Sequence, residues 1–254
     1  MSGLVPSLLR EQLRALTPAR VGLGRTGVSL ETRDLLDFQQ AHAQARDAVH
    51  ARLDTSALLK EISGIFGGEI LCLHSAAADR ATYLQRPDLG RILDEPSRAA
   101  LAPIAQTRHD AHDLVFIVAD GLSALAVERH APPLLKKILQ RLESWRIGPI
   151  CVVEQARVAI GDAIGGMLGA QMSVVLVGER PGLKSPDSLG AYLTWMPQPG
   201  RTDAERNCIS NIRSEGLSYS QAASQLAFYL KHARKRQLTG VALKAANHSI
   251  EGLE

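Results

Sequence analysis

Between residues 114 and 178 the chain carries three short apolar runs that do not alternate with polar residues: LVFIVADG (Leu114 to Gly121), ICVVE (Ile150 to Glu154) and SVVLVG (Ser173 to Gly178). All three are rich in β-branched side chains, and each ends in an acidic residue or glycine. A strand with one face in water alternates, so an unbroken run implies burial on both faces, as in a parallel sheet covered by helices. The intervening text, such as LSALAVERHAPPLLKKILQRLESW, has helical spacing. A fourth run, AYLTWM (Ala191 to Met196), follows. The expected fold is α/β, a Rossmann-like domain with a parallel or mostly parallel sheet. Ligands of such sheets sit beyond the carboxyl ends of the strands, which singles out Ala119, Asp120, Gly121, Glu154, Gly178, Glu179 and Arg180.

The first hundred residues read differently. LLDFQQAHAQARDAVHARL repeats Leu35, Leu36, Phe38, Ala41 and Ala45 at roughly helical spacing, and DTSALLKEISGIF begins at a cap, Asp54 or Ser56. The run EILCLHS predicts a short strand near 69–74, and Pro87 and Gly90 break up the segment after it into a structured excursion. The division expected is a mainly helical region, 1–108, ahead of the sheet domain, 109–254. Two helices are expected to close the chain, one around TDAERNCISNIR and one from Tyr219 to Arg236. The opening MSGLVPSLLREQLRAL carries Arg10 and Glu11 in place of a long apolar core, so it reads as a short amphipathic helix, a docking tag or a terminal helix, and not as a secretory signal.

Several functions are disfavoured. Only 4% of the 254 residues are aromatic and the formal charge is +3, a poor basis for stacking or neutralising nucleic acid. Three widely spaced cysteines, Cys72, Cys151 and Cys208, suit neither a disulfide framework nor a zinc knuckle. No apolar run reaches the ~20 residues that cross a bilayer. GLGRTG (Gly22 to Gly27) has the letters of a dinucleotide fingerprint but lacks a preceding strand. His109 and His112 stand three apart with no cysteine nearby, and the basic run KHARKR (Lys231 to Arg236) suits the end of a helix. No G-x-S-x-G elbow is present.

Three segments are unusual. In RVAIGDAIGGMLGAQ (Arg157 to Gln171) a helix would place Gly161, Gly165 and Gly169 on one face, with Gly166 beside them. Each interior glycine weakens a helix by roughly 0.5–1 kcal/mol, so something must lie close to the bare backbone: another element, a flat ligand or a partner. GERPGLKSPDSLGAYLTW (Gly178 to Trp195) makes a rigid loop after a strand, with Glu179 able to accept hydrogen bonds. ERNCISNIR (Glu205 to Arg213) sets Cys208 among polar residues.

In these segments the chain resembles the small (light, β) subunit of ethanolamine ammonia-lyase. TPARVGLGRTGVSL, HSAAADRATYLQRPDLGRIL, DLVFIVADGLSALAV, RVAIGDAIGGMLGAQ, SVVLVGERPGLKSPDSLGAYLTW and RNCISNIRSEGLSY occur in the family's order, from about residue 15 onward. The resemblance implies a subunit of an adenosylcobalamin-dependent carbon–nitrogen lyase that converts ethanolamine to acetaldehyde and ammonia. It implies a large-subunit partner that holds the substrate and the catalytic residues, a hetero-oligomer of such pairs, and a bacterial cytoplasm or microcompartment as location. Carried over by position, the cofactor contacts would be Val158, Glu179 and Cys208, with no catalytic residue and no metal ligand on this chain. Asp110 and His112 begin the D-x-H-x-x-G pattern of cobalamin modules that offer histidine to cobalt, but Val115 replaces its glycine. The rival readings are a stand-alone nucleotide-binding α/β enzyme and a non-catalytic scaffold.

Overall fold

The computed structural model describes residues 7–17, 19–107 and 112–243. The apolar runs become a six-stranded sheet: β3 (Ile70–His74), β4 (Leu114–Ala119), β5 (Ile147–Glu154), β6 (Met172–Gly178), β7 (Leu189–Trp195) and β8 (Arg206–Ile212), after a two-residue hairpin of β1 (Arg25–Thr26) and β2 (Ser29–Leu30). Its strand order is β3-β5-β4-β6-β7-β8. The first four strands are parallel, and β7 and β8 are added as an antiparallel meander. The expectation of a mostly parallel α/β sheet is met.

Burial on both faces explains the unbroken runs. Leu114, Phe116, Val118, Val174 and Leu176 face one core, and Val115, Ile117, Val153 and Val175 face another. Helices α3 (Thr55–Ser63), α6 (Ala124–Leu139) and α8 (Tyr219–Arg236) cover the first face, and α5 (Glu95–Thr107) and α7 (Ile160–Met167) the second. The crossover through α6 leads from β4 to a neighbour on one side, whereas the crossover through α7 passes to the other side. Crossovers of one hand running in opposite directions put their helices on opposite faces. The strand expected near 69–74 is β3, and it pairs with β5, so the sheet includes residues from the region read as N-terminal and helical.

The remaining helices are α1 (Ser7–Leu16), α2 (Thr32–His50) and α4 (Arg80–Gln85). Asp54 caps α3 by accepting from the Ala57 amide. In α2 the buried residues are Asp34, Ala41, Ala45 and Ala48, while Leu35, Leu36 and Phe38 are exposed. GLGRTG forms the β1–β2 hairpin, with Gly22 and Gly27 at positive φ and the Gly24 amide bonded to Asp34. The basic run ends α8, where Arg234 lies over the Trp145 ring. Residues 1–6 and His109 and Asp110 lie outside the described residues.

The reading of TDAERNCISNIR as a helix is corrected. Thr202 and Glu205 form a reciprocal capping box, but it starts a single 3-10 turn, Asp203–Glu205, and the chain then enters β8. Arg206 and Asn207 look polar yet are buried, held by Asp162 and by the backbone of Gly240. Their burial hides the period-2 signature of a strand.

Candidate functional site

The carboxyl ends of β4 and β5, where a ligand is expected, are occupied by the chain itself. Asp120 follows β4 and accepts from the Ala156 amide at 3.0 Å. Arg80, at the start of α4, reaches over it: Nε donates to the Val49 carbonyl, Nη1 to the Gly121 carbonyl, both at 2.7 Å, and Nη1 lies 3.6 Å from Asp120. The guanidinium groups of Arg80 and Arg157 both lie over the Tyr83 ring, and its hydroxyl donates to the Ala156 carbonyl. Burial raises the Asp120 carboxyl to about 6 and the Tyr83 phenol to about 12. Between β4 and β6, Gly121 at φ +59 packs so tightly on Gly178 that no side chain fits. The excursion predicted between two elements is therefore a plug.

The glycine-rich helix is shorter than expected. α7 stops at Met167, and Gly169 lies beyond it at φ +63. A Cβ at Gly161 would run into Val175 of β6, and one at Gly165 would lie 2.5 Å from Cγ of Pro197. Of the three neighbours left open for the bare face, another part of the same chain is the one found: it packs on the protein's own sheet and on Pro197.

The open surface lies next to α7. On the α6–α8 side, β7 and β8 are covered through Leu189, Ala191, Leu193 and Ile209. On the other side Tyr192 and Cys208 are half-buried, and Ser210 is exposed. Val158, in the turn entering α7, is half-buried and packs on the same apolar cluster as Tyr192. Arg206 grips Asp162 of α7 with two bonds, 2.7 and 2.6 Å, and takes Thr194 as well, locking helix to hairpin.

Glu179, just past β6, is held from two sides. Its Oε2 accepts from the Ser188 hydroxyl at 2.5 Å and from the Asn211 amide at 3.2 Å. The Asn211 amide points there because β8 bulges: Leu189 pairs with Ile212 but Ala191 with Ile209, and Asn211 takes φ +59. The bulge here places a residue in the left-handed region, which asparagine tolerates. Gly190 lies beneath, where a Cβ would be 2.9 Å from the Tyr192 ring and 3.0 Å from Glu179 Oε1. The loop is fastened elsewhere too: Asp187 pairs with Arg129, and Ser123 donates to the Pro186 carbonyl.

The structure places Val158, Glu179 and Cys208 on this one side of the sheet, although they come from three separate segments. Residue reading missed Tyr192 and Gly190; it marked Ser188 and Asn211 as polar residues of their segments but gave neither its partner, Glu179, because that depends on strand register and a bulge. His112 precedes β4 and packs against Gly148. Among the described residues no group of three or more His, Cys, Asp or Glu could hold a metal. Among the same residues no helix is long and apolar enough to cross a membrane. A groove of about 490 Å3 lies elsewhere, between α1, α2 and residues 183–186, and the ion-paired Arg14 and Asp34 are among its lining residues.

Fold and site together define a doubly wound α/β protein whose strand-end crevice is filled and which presents half-buried Tyr192 and Cys208 on one face of its β7–β8 hairpin. The family described as ethanolamine ammonia-lyase light chain (EutC) matches residues 9–244. Similar proteins include the ethanolamine ammonia-lyase small subunit of Pseudomonas aeruginosa (strain UCBPP-PA14), 56% identical over 244 residues, covering 94% of this chain and 89% of the relative. That of Pseudomonas fluorescens (strain Pf0-1) is 57% identical over 235 residues, covering 92% and 85%. The chain belongs to the ethanolamine ammonia-lyase light-chain family.

Proposed function

We propose that the chain is the small subunit of an adenosylcobalamin-dependent ethanolamine ammonia-lyase and that its open sheet face helps to bind and enclose the cofactor against a large subunit. Family membership carries the first part. The second is supported by Val158, Glu179 and Cys208 lying on one side of the sheet in a mixed environment: an aliphatic side chain, a carboxylate and a thiol.

The donor set fits a corrin. The ring's body is apolar and its periphery carries amides. Glu179 is an acceptor whose Oε2 is already oriented by Ser188 and Asn211, so the carboxylate meets an amide donor at little further cost in side-chain entropy. Val158 offers apolar contact, and Cys208 a compact, polarizable one. When bound, adenosylcobalamin supplies the radical chemistry of the reaction. This chain's residues bind and orient it, and a second subunit closing over the face excludes water. Acid–base chemistry on the substrate is assigned to the large subunit. The assembly is read as a hetero-oligomer of large–small pairs in the bacterial cytoplasm or a microcompartment.

The test is ammonia release from ethanolamine with adenosylcobalamin, comparing this chain, its large subunit and their mixture. Activity confined to the mixture is expected. A folded mixture that neither releases ammonia nor alters the cobalamin spectrum would overturn the assignment. Within an active mixture, Glu179→Gln should raise the cofactor Kd by about tenfold, the scale of one hydrogen bond to a charged group.

A further inference from the structure

We propose that Tyr192 is a further residue of the cofactor-facing surface, a positioning residue that sets the Cys208 sulfur through a hydrogen bond across the β7–β8 pair and braces Glu179 over Gly190. This rests on reading that face as the cofactor surface. Tyr192 and Cys208 are direct register partners on neighbouring antiparallel strands, so their side chains stand together on the same side of the sheet. The phenol and the thiol lie near enough to interact. Both residues are half-buried on the side of the hairpin that α8 does not cover. The ring also packs on the apolar cluster that Val158 joins.

Gly190 explains how one ring reaches both neighbours. It stands two residues before Tyr192 on the same side, and a Cβ there would meet the Tyr192 ring at 2.9 Å and Glu179 Oε1 at 3.0 Å. The missing side chain leaves a hollow that ring and carboxylate fill together. Tyr192 is therefore tied to Cys208, to Glu179 and, through the cluster, to the turn that carries Val158. Burial, the neighbouring cysteine and the nearby carboxylates of Glu179 and Asp203 all raise its proton affinity, so the hydroxyl stays protonated and can donate at any working pH.

The experiment uses the assembled large–small complex with Cys72→Ser, which removes the exposed thiol. Spectral titration with adenosylcobalamin gives Kd, and the pH dependence of alkylation of the Cys208 peptide, without cofactor, gives the thiol midpoint. Tyr192→Phe keeps the ring over Gly190 and removes the donor. Its expected effects are a Kd raised about 3- to 10-fold, the scale of one hydrogen bond, and an alkylation midpoint moved to higher pH, because the thiolate loses its donor. A merely structural tyrosine would move neither.

Because the hydroxyl acts through the sulfur, Tyr192→Phe added to Cys208→Ala should weaken binding no further than Cys208→Ala alone. Native Kd and midpoint in Tyr192→Phe, or full additivity with Cys208→Ala, would overturn the inference while leaving the cofactor surface intact. The surface reading fails separately, and takes this inference with it, if cofactor does not protect Cys208 from alkylation in the parent complex and Val158→Ala, Glu179→Gln and Cys208→Ala all bind normally.

Discussion

Asp120 lies at a strand end where ligands of doubly wound sheets are expected, yet the groups around it belong to this chain. A carboxylate at the end of β4 is nearly removed from water, with Arg80 as its counter-charge and the Ala156 amide as donor. Its proton affinity rises to about 6, against an unfolded value near 4. A carboxyl raised in this way favours the folded state most at low pH, and that contribution is lost as pH rises through about 6. Arg80→Leu removes the charge that opposes the shift, and breaking a buried pair costs roughly 3–5 kcal/mol. The loss should be larger at pH 8, where Asp120 must ionise unpaired, than at pH 5, where it takes up a proton. Urea unfolding at the two pH values checks this, and an equal loss at both would exclude the linkage.

Of the six sheet strands β8 is the least legible in the sequence, and Arg206 shows why. A buried arginine looks like a surface residue until its partner is known, and here the partner is Asp162, on α7 and 44 positions away. The same bond ties the glycine-rich helix to the strand that carries Cys208. Arg206→Ala should destabilise the protein by roughly 3–5 kcal/mol by leaving Asp162 buried and unpaired. Arg206→Met combined with Asp162→Leu should recover most of that loss, because the desolvation cost goes with both charges. Denaturant midpoints for the two variants decide it. By contrast the spans of α3 and α8 could be read from spacing; of the two cap candidates for α3 it is Asp54 that accepts from an amide three residues on, and Ser218 does the same for α8.

At the scale of the whole molecule, strand pairing and core contacts cross the point where the sequence changes character. β3 pairs along its length with β5, Leu58 and Ile62 of α3 lie in the core under α6, and Leu93 and Leu101 lie in the core beside α7. Residues 112–254 expressed alone should therefore lack a cooperative thermal transition, because an edge of β5 and apolar surface on both sides of the sheet would be bared. A sharp calorimetric transition in that fragment would show instead that the sheet domain folds independently. The plug of Arg80, Tyr83 and Arg157 belongs to this arrangement, joining α2, α4 and the ends of β4 and β5.

Read alone, the amino-acid sequence determined what depends on local pattern: buried parallel strands, the helices between them, the start of α3 to within a choice of two caps, the span of α8, and a resemblance running through most of the chain. It also singled out the segments holding Val158, Glu179 and Cys208. Tertiary structure decided what depends on register and long-range pairing. Only pairing of β7 with β8 sets Tyr192 beside Cys208, and only a bulge aims the Asn211 amide at Glu179. Only packing shows that the glycines of α7 serve its contact with β6 and Pro197. A side chain's chemistry is carried by its own residue, but its partner is supplied by another segment, and the pairing of segments is a property of the folded chain.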